Sequence, residues 1–319
     1  MPRLYPPGIK KLLRVLRVDW IGNENRFKDL ADYKDYLNRG ALHFAAEAGL
    51  TDACQYLVEE LKLDINAKDT HGITPLVSAS MEGHTTTAKY LVERGASLQV
   101  ELGLTALHHA AENGDFELME FLLGKGVSVD LKGASLYTPI ASAAHMSRED
   151  VVKFLLEHGA DPNGQPEDYT TPLQKAISAD SFACSKLLIQ EGADANFVAH
   201  GYYPLHLAAN GGNVEIINLL LEAGAKPDIM SDVLFTDDMD DLWPRKPIEV
   251  AAARGHKEAV KVLFPVTKPI DFKELYSGVA KKDNIKEWSV DGLLGSPQPE
   301  NGKKEKGKKT GRAKISGVK

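Results

Sequence analysis

The chain has 319 residues, 43% of them hydrophobic and 26% charged, with 2 Cys and a formal net charge of −7. No run of about 20 apolar residues occurs, so no membrane-spanning helix is expected, and two cysteines cannot build a disulfide framework. The charge is uneven: residues 301–319 hold eight Lys or Arg against one Glu, +7, which leaves −14 on the rest, an acidic body with a basic tail.

The opening 18 residues carry Arg3, Lys10, Lys11, Arg14 and Arg17 with no acid, interleaved with Leu12, Leu13, Val15, Leu16 and Val18. Such a stretch reads either as an organelle transit peptide or as an N-terminal extension without fixed structure. Pro6-Pro7 and the absence of Ser favour the extension, assigned to residues 1–24. From Asn25 to Leu37 the spacing of Phe27, Leu30, Tyr33, Tyr36 and Leu37 is helical, which predicts a capping helix over residues 25–39.

A short stretch then recurs: Gly72-Ile-Thr-Pro-Leu76, Gly103-Leu-Thr-Ala-Leu-His108, Tyr137-Thr-Pro-Ile140, Thr171-Pro-Leu173 and Gly201-Tyr-Tyr-Pro-Leu-His206. With Ala41, Pro75, Ala106, Pro139, Pro172, Pro204 and Pro247 as markers, the intervals are 34, 31, 33, 33, 32 and 43. A period near 33 interrupted by one insertion marks a solenoid, in which no single unit buries its own apolar face. Each marker opens an Ala-rich run such as His109-Ala-Ala111, and a second aliphatic cluster follows that ends at Gly, as in Phe154-Leu-Leu-Glu-His-Gly159. Helix, turn, helix and loop therefore repeat. Thr74, Thr138 and Thr171 precede Pro and are placed to cap the first helix of their units, where Pro loses no bond it needed. Gly83, Gly114 and Gly212 stop first helices; Ser147 and Asp180 stand there in units four and five, which predicts tighter or looser turns. Cys54 and Cys184 take buried second-helix positions four repeats apart, too far to pair, and two buried reduced thiols point to an intracellular protein.

The pattern resembles the ankyrin repeat family over residues 40–264, in about seven units; unit six, Gly201 to Asp228, and unit three, Gly103 to Asp130, match most fully. Unit one lacks its leading hairpin, and unit seven has Glu249 where the family has His. The resemblance implies an all-α solenoid of helix-turn-helix units joined by short β-hairpin loops. Past Phe264, the segment Phe272, Leu275, Tyr276 and Val279 predicts a C-terminal capping helix within a 265–294 cap and linker. Ile285-Lys-Glu-Trp-Ser-Val-Asp-Gly292 resembles the junction of plant ankyrin/tetratricopeptide proteins, but no helical repeats follow it, so the second domain is expected to be missing. Residues 295–319 are expected to be a disordered basic tail.

Catalysis finds no support in these residues. The resemblance gives His43, His108 and His206 a structural place between neighbouring repeats, and His84 and His256 another after the turn. Histidines a period apart sit on different layers, and no Cys pair offers zinc spacing, so no metal and no cofactor is expected. Gly211-Gly212 ends a helix instead of opening a phosphate loop. The run Thr236-Asp-Asp-Met-Asp-Asp241 lacks the order of a calcium loop.

Recognition remains. The resemblance implies that hairpin tips and exposed inner-helix ends form a concave partner-binding surface. Unit two offers Thr70, His71, Ile73, Met81 and Glu82; unit three offers Glu101, Leu104, Glu112 and Asn113. Tyr137, His145 and Met146 come from unit four, Glu167 and Thr170 from unit five, and His200, Tyr202 and Asn210 from unit six. An aromatic, Met-bearing and acidic groove suits a peptide or loop that carries Lys or Arg beside apolar anchors. The insertion over residues 229–243, with Phe235 and Trp243 among five aspartates, either docks on a basic groove or folds back over unit six. The Lys-rich tail reads as an import signal, a weak contact to nucleic acid or an acidic surface, or a solubilising end. Two functions follow: a non-enzymatic adaptor or scaffold, expected to be monomeric and cytoplasmic or nuclear, and a regulatory or inhibitory subunit that contacts nucleic acid or an enzyme through the tail.

Overall fold

The structure, a computed structural model, describes residues 11–12, 31–99, 103–133, 137–164, 170–198, 203–231 and 245–268. Seven helix pairs follow one another, each an inner helix and an outer helix. They are α1 (Ala41–Glu47) and α2 (Thr51–Glu59), α3 (Pro75–Met81) and α4 (Thr85–Glu93), α5 (Ala106–Asn113) and α6 (Phe116–Gly124), and α7 (Pro139–His145) and α8 (Glu149–Glu157). The stack continues through α9 (Pro172–Ser178) and α10 (Phe182–Gln190), α11 (Pro204–Gly211) and α12 (Val214–Glu222), and α13 (Pro247–Arg254) and α14 (Lys257–Leu263). No strand is found among the described residues; the loops turn through hydrogen bonds such as Asp69 N–H to the Ile73 carbonyl at 3.0 Å and Gly133 N–H to the Tyr137 carbonyl at 3.2 Å.

Each outer helix buries its third, fourth and seventh residues, as in Leu118, Met119 and Leu122 or Val151, Val152 and Leu155. Inner helices bury small residues at the fifth and sixth positions, Ala110 and Ala111 in α5, with Ile177 in α9 the exception, so neighbouring units approach closely. The result is one continuous apolar cluster from Leu12 to Leu263. Each fully buried Leu in it contributes about 1.5–3 kcal/mol relative to exposure. Cys54 and Cys184 are buried in it as free thiols, and burial pushes the Cys54 pKa up to about 12.

Three rows of polar bonds stitch the units together. In the first, the third residue of an inner helix reaches the loop of the next unit. His43, His108 and His206 donate from Nε2 to the carbonyls of Ile73 (3.1 Å), Tyr137 (2.8 Å) and Arg245 (2.8 Å). A carbonyl only accepts, so Nε2 carries the proton, and Nδ1 is left to accept from the cap N–H of the same helix, Gly40 at 3.2 Å and Thr105 at 3.3 Å. Burial holds the His43 and His108 rings below the usual imidazole range, His108 at about 4. Gln174 reproduces both halves of this arrangement, accepting Thr171 N–H at 3.2 Å and donating to the Phe197 carbonyl at 3.5 Å. Glu249 in the last unit keeps only the accepting half, with Lys246 N–H at 2.6 Å. Val77 and Ala141 hold this position in units two and four and have no polar atom to offer.

The second row covers the turn between the helices of a pair. His84 donates to the Glu47 carbonyl (3.0 Å), Asn113 to those of Ser80 (2.9 Å) and Met81 (3.0 Å), and Arg148 to that of Glu112 (3.0 Å). His256 donates to the Asn210 carbonyl at 2.9 Å. This packing explains the turn glycines. Gly49 and Gly212 have φ of 64° and 74°, and a Cβ on either would stand 2.6 Å and 2.5 Å from the rings of His84 and His256. Ser147 and Asp180 keep the same left-handed backbone, both at φ 56°, so the expected change in turn geometry does not occur. Stack position dictates the backbone there, and the side chain is accommodated. The next unit presents Ser181, which caps its own helix toward Cys184 N–H at 3.4 Å, and the Asp180 carboxylate accepts from Asn213 at 2.6 Å.

The third row joins the loops behind the outer helices. Asn66 accepts from Ser97 N–H (2.7 Å), Asp130 from Asp161 N–H (3.2 Å), Asn163 from Asp194 N–H (2.7 Å), Asn196 from Lys226 N–H (2.9 Å) and Asp228 from Lys268 N–H (2.9 Å).

Two expectations need correction. Thr138 does not cap α7: its hydroxyl is buried and has no hydrogen-bond partner among the described residues, unlike Thr171, which accepts Gln174 N–H at 3.1 Å. The helix expected over residues 25–39 does not extend past residue 32. The Asp35 carboxylate takes the N–H groups of Leu37 (3.0 Å) and Arg39 (2.8 Å), and Asn38 turns to φ 62°. An Asp competing for backbone N–H groups ends a helix in this way. Leu12, assigned to an extension without fixed structure, is helical and fully buried in the apolar cluster. The remaining residues of the N-terminal extension, most of the insertion, the C-terminal cap and linker and the basic tail lie outside the described residues.

Candidate partner-binding surface

With the first, second, third, fifth and sixth positions of most inner helices buried, the fourth, seventh and eighth residues form the open face beside the loop tips. In unit two, Met81 and Glu82 are exposed, Met81 at 42%, and Glu82 makes no ion pair among the described residues. His71 is exposed at the tip, where its N–H is held by Asp69 at 2.8 Å; Thr70 is exposed beside it. Ile73 is half-buried and lends its carbonyl to His43.

Unit three is more committed to its own fold. Glu112 pairs with His109 Nδ1 at 2.9 Å, the Asn113 amide serves the second row, and Leu104 lies half-buried against Gly133. In unit four, His145 and Met146 are exposed, Met146 at 51%, while the Tyr137 ring lies under Lys175 Nζ at 4.0 Å. Thr170 is half-buried in unit five, and the Asn210 side chain in unit six accepts from Arg254 Nε at 2.8 Å. Glu101, Glu167, His200, Tyr202, Phe235 and Trp243 lie outside the described residues. Both ends of the insertion are pinned together: Ser231 N–H donates to the Arg245 carbonyl at 3.0 Å, and Arg245 N–H to the Ser231 hydroxyl at 3.2 Å.

The fourth position of the inner helix escaped the sequence reading. It runs Phe44, Ser78, His109, Ser142, Lys175, Leu207 and Val250 from unit one to unit seven. Large and small residues alternate across the first five, so Ser78 and Ser142, 8% and 6% exposed, form two low places in the floor. Each is flanked by an exposed Met, Met81 or Met146, at the end of the same helix. The signal was available: the fifth position, next to it, is Ala in all seven units, whereas this one changes at every step. At the N-terminal end, Arg39 lies 4.5 Å over the Phe44 ring and bridges Asp35 (2.9 Å) and Glu47 (3.1 Å).

Five histidines, His43, His84, His108, His206 and His256, are engaged with backbone carbonyls. Among the described residues no group of three or more His, Cys, Asp or Glu is placed to hold a metal ion, and no helix is long and apolar enough to cross a membrane.

The profile of the family described as ankyrin repeats (3 copies) matches residues 9–101, 95–166 and 163–231. The ankyrin repeat protein nuc-2 of Neurospora crassa is 28% identical over 247 residues, 77% of this chain and 19% of that protein. The 26S proteasome non-ATPase regulatory subunit 10 of Dictyostelium discoideum is 46% identical over 66 residues, 21% of this chain and 28% of that one. The human transient receptor potential cation channel subfamily A member 1 is 38% identical over 88 residues, 27% of this chain and 8% of the channel. The chain thus spans less than a third of each of these relatives. The crystal structure of the human ASB11 ankyrin repeat domain is similar at a TM-score of 0.58 and 25% identity, over 70% of this chain and 98% of that one.

Proposed function

The chain belongs to the ankyrin repeat family, and from that premise we propose that it is a non-enzymatic adaptor that holds a segment of a protein partner on its concave face. The observation that supports this is the shared design of units two and four. Both set a small Ser, Ser78 or Ser142, in the floor beside an exposed Met, Met81 or Met146, and an apolar loop residue, Ile73 or Tyr137. Both Met side chains are open to solvent, and a flexible thioether chain adapts to whatever side chain it covers. The exposed Glu82, which has no ion pair among the described residues, suits a Lys or Arg on the partner, whereas Glu112 is already engaged by His109. A carboxylate at the rim accelerates association more than it strengthens the complex. Five of the ten histidines serve to hold neighbouring units together, which supports a structural use for them.

Display of random peptides against the full chain tests this reading. Enriched peptides are expected to lose binding to a Met81→Lys/Met146→Lys variant and to keep it with Glu120→Lys, a change on the outer face. Binding that survives the first variant and is lost with the second refutes the concave-face reading. A Lys-rich tail acting on nucleic acid is the second reading; it requires DNA binding that falls steeply with salt and disappears when residues 301–319 are removed.

A further inference from the structure

The polar rows are not evenly distributed along the stack. Between units one and two all three are present: His43 to Ile73, His84 to Glu47 and Asn66 to Ser97. Between three and four they are present again, through His108, Arg148 and Asp130. Units six and seven are joined by His206, His256 and Asp228. Units two and three lack the first row, at Val77, but have Asn113 on two carbonyls, with Thr85 bonded to Asp115 and Lys89 to Glu117.

The junction between units four and five differs from all of these. Ala141 offers nothing to the loop of unit five, and Ser181, at the turn, bonds within its own helix. Both inner-helix rows are therefore interrupted at the same place among the described residues. Among the described residues the bonds that remain are the loop staple, Asn163 with Asp194 N–H at 2.7 Å and the Gly192 carbonyl at 3.2 Å, and Lys175 over the Tyr137 ring at 4.0 Å. Otherwise α7 meets α9 through buried apolar side chains, among them Ile140, Ala144, Leu173 and Ala176. Apolar contact is favourable but not directional, so it resists separation far more than rotation. Directional hydrogen bonds fix orientation, and here they lie on one edge only. The buried, unpartnered Thr138 hydroxyl marks the interruption, because the matching Thr105 hydroxyl sits 2.8 Å from His108 Nδ1.

We propose that this junction is a hinge built into the solenoid, about which units one to four and units five to seven pivot as two blocks on the loop staple. The pivot changes the curvature of the concave face. The Ser and Met positions of units two and four ride on one block, and Lys175 and Leu207 on the other. A partner that spans the junction selects one curvature, and one confined to units two to four leaves the hinge free.

Spin-label distance measurements on the full chain test the hinge. Labels at Glu120→Cys and Asn218→Cys, exposed on the outer helices of units three and six, span the junction. Labels at Gln55→Cys and Lys153→Cys, equivalent positions in units one and four, are three units apart within one block. The native Cys54 and Cys184 are buried with raised pKa values and stay unlabelled. The spanning pair is expected to give the broader distance distribution. Ala141→His restores the first row, with Nε2 donating to the Thr170 carbonyl and Nδ1 accepting from the Thr138 hydroxyl, and narrows that distribution to the width of the control pair. Ala141→Gln, which copies Gln174, is expected to do the same. Equal widths for the two pairs in the otherwise unaltered chain overturn the proposal, as does a broad spanning distribution that neither substitution narrows.

Discussion

Acid should loosen this stack through its histidines, and His108 is where the effect can be isolated. Its ring is fully buried, donates from Nε2 to the Tyr137 carbonyl and has a pKa pushed down to about 4 by burial. The unfolded chain takes up a proton near pH 6.5, before the folded one does, so the stabilisation is complete above about 6.5 and is lost as pH falls toward 4. The slope is about 1.4 kcal/mol per pH unit, and integrated from pH 7 to pH 5 it comes to about 2 kcal/mol. For a domain of this size that lowers the melting midpoint by about 4–8 °C. Gln174 shows which residue keeps both hydrogen bonds without titrating. Melting temperatures of the unaltered chain and of His108→Gln are compared from pH 7 to pH 5 by circular dichroism. The variant's curve should be flatter by that amount, whatever its stability at pH 7. His43, shifted in the same direction, remains in both proteins and cancels. Parallel curves would refute the argument, since they would mean that His108 is hydrated or already charged in the folded chain.

Two further expectations concern the turns. Gly212→Ala places a Cβ 2.5 Å from the His256 ring at φ 74°, so the ring must swing away from the Asn210 carbonyl. The left-handed backbone and the lost bond together cost about 2 kcal/mol, read as a lower urea midpoint. Ser147→Gly works the other way, because it relieves a left-handed Ser at φ 56° whose side chain makes no hydrogen bond among the described residues. A gain of about 0.5–1 kcal/mol is expected after the greater freedom of Gly in the unfolded chain is subtracted; a lower midpoint would show that Ser147 has a partner.

The period, the helix boundaries and the structural place of His43, His108 and His206 were legible because each is set by a residue type at a fixed offset within one unit. Ser147 and Asp180 were misread for the opposite reason, since their backbone is imposed by neighbouring units and not by their own preference. The same limit applies to the surface. The sequence shows that Asn113 and Asn210 are polar and near an open face, but not that their partners are Ser80 and Met81 in one case and Arg254 in the other. Bonds across 32 to 44 residues have no local signature. The fold filtered the candidates, leaving His71, Met81, Glu82, His145 and Met146 exposed and without a side-chain role in the stack's polar rows, and it added Ser78 and Ser142.

The loop staple at the proposed hinge also bears on how the protein ages. Asn163 is followed by Gly164, the pairing most prone to cyclise and deamidate when the next backbone nitrogen attacks the side-chain carbonyl. Here that nitrogen donates to the Asp161 carbonyl at 3.0 Å, and the Asn163 amide is held at both ends, by Asp194 N–H and the Gly192 carbonyl. Attack requires all three bonds to open. Conversion of Asn163 to aspartate would leave a carboxylate facing the Gly192 carbonyl beside Asp161 and Asp194, and the staple could not close again as before. The rate of conversion in stored protein thus follows the fraction of time that the staple between units four and five stands open.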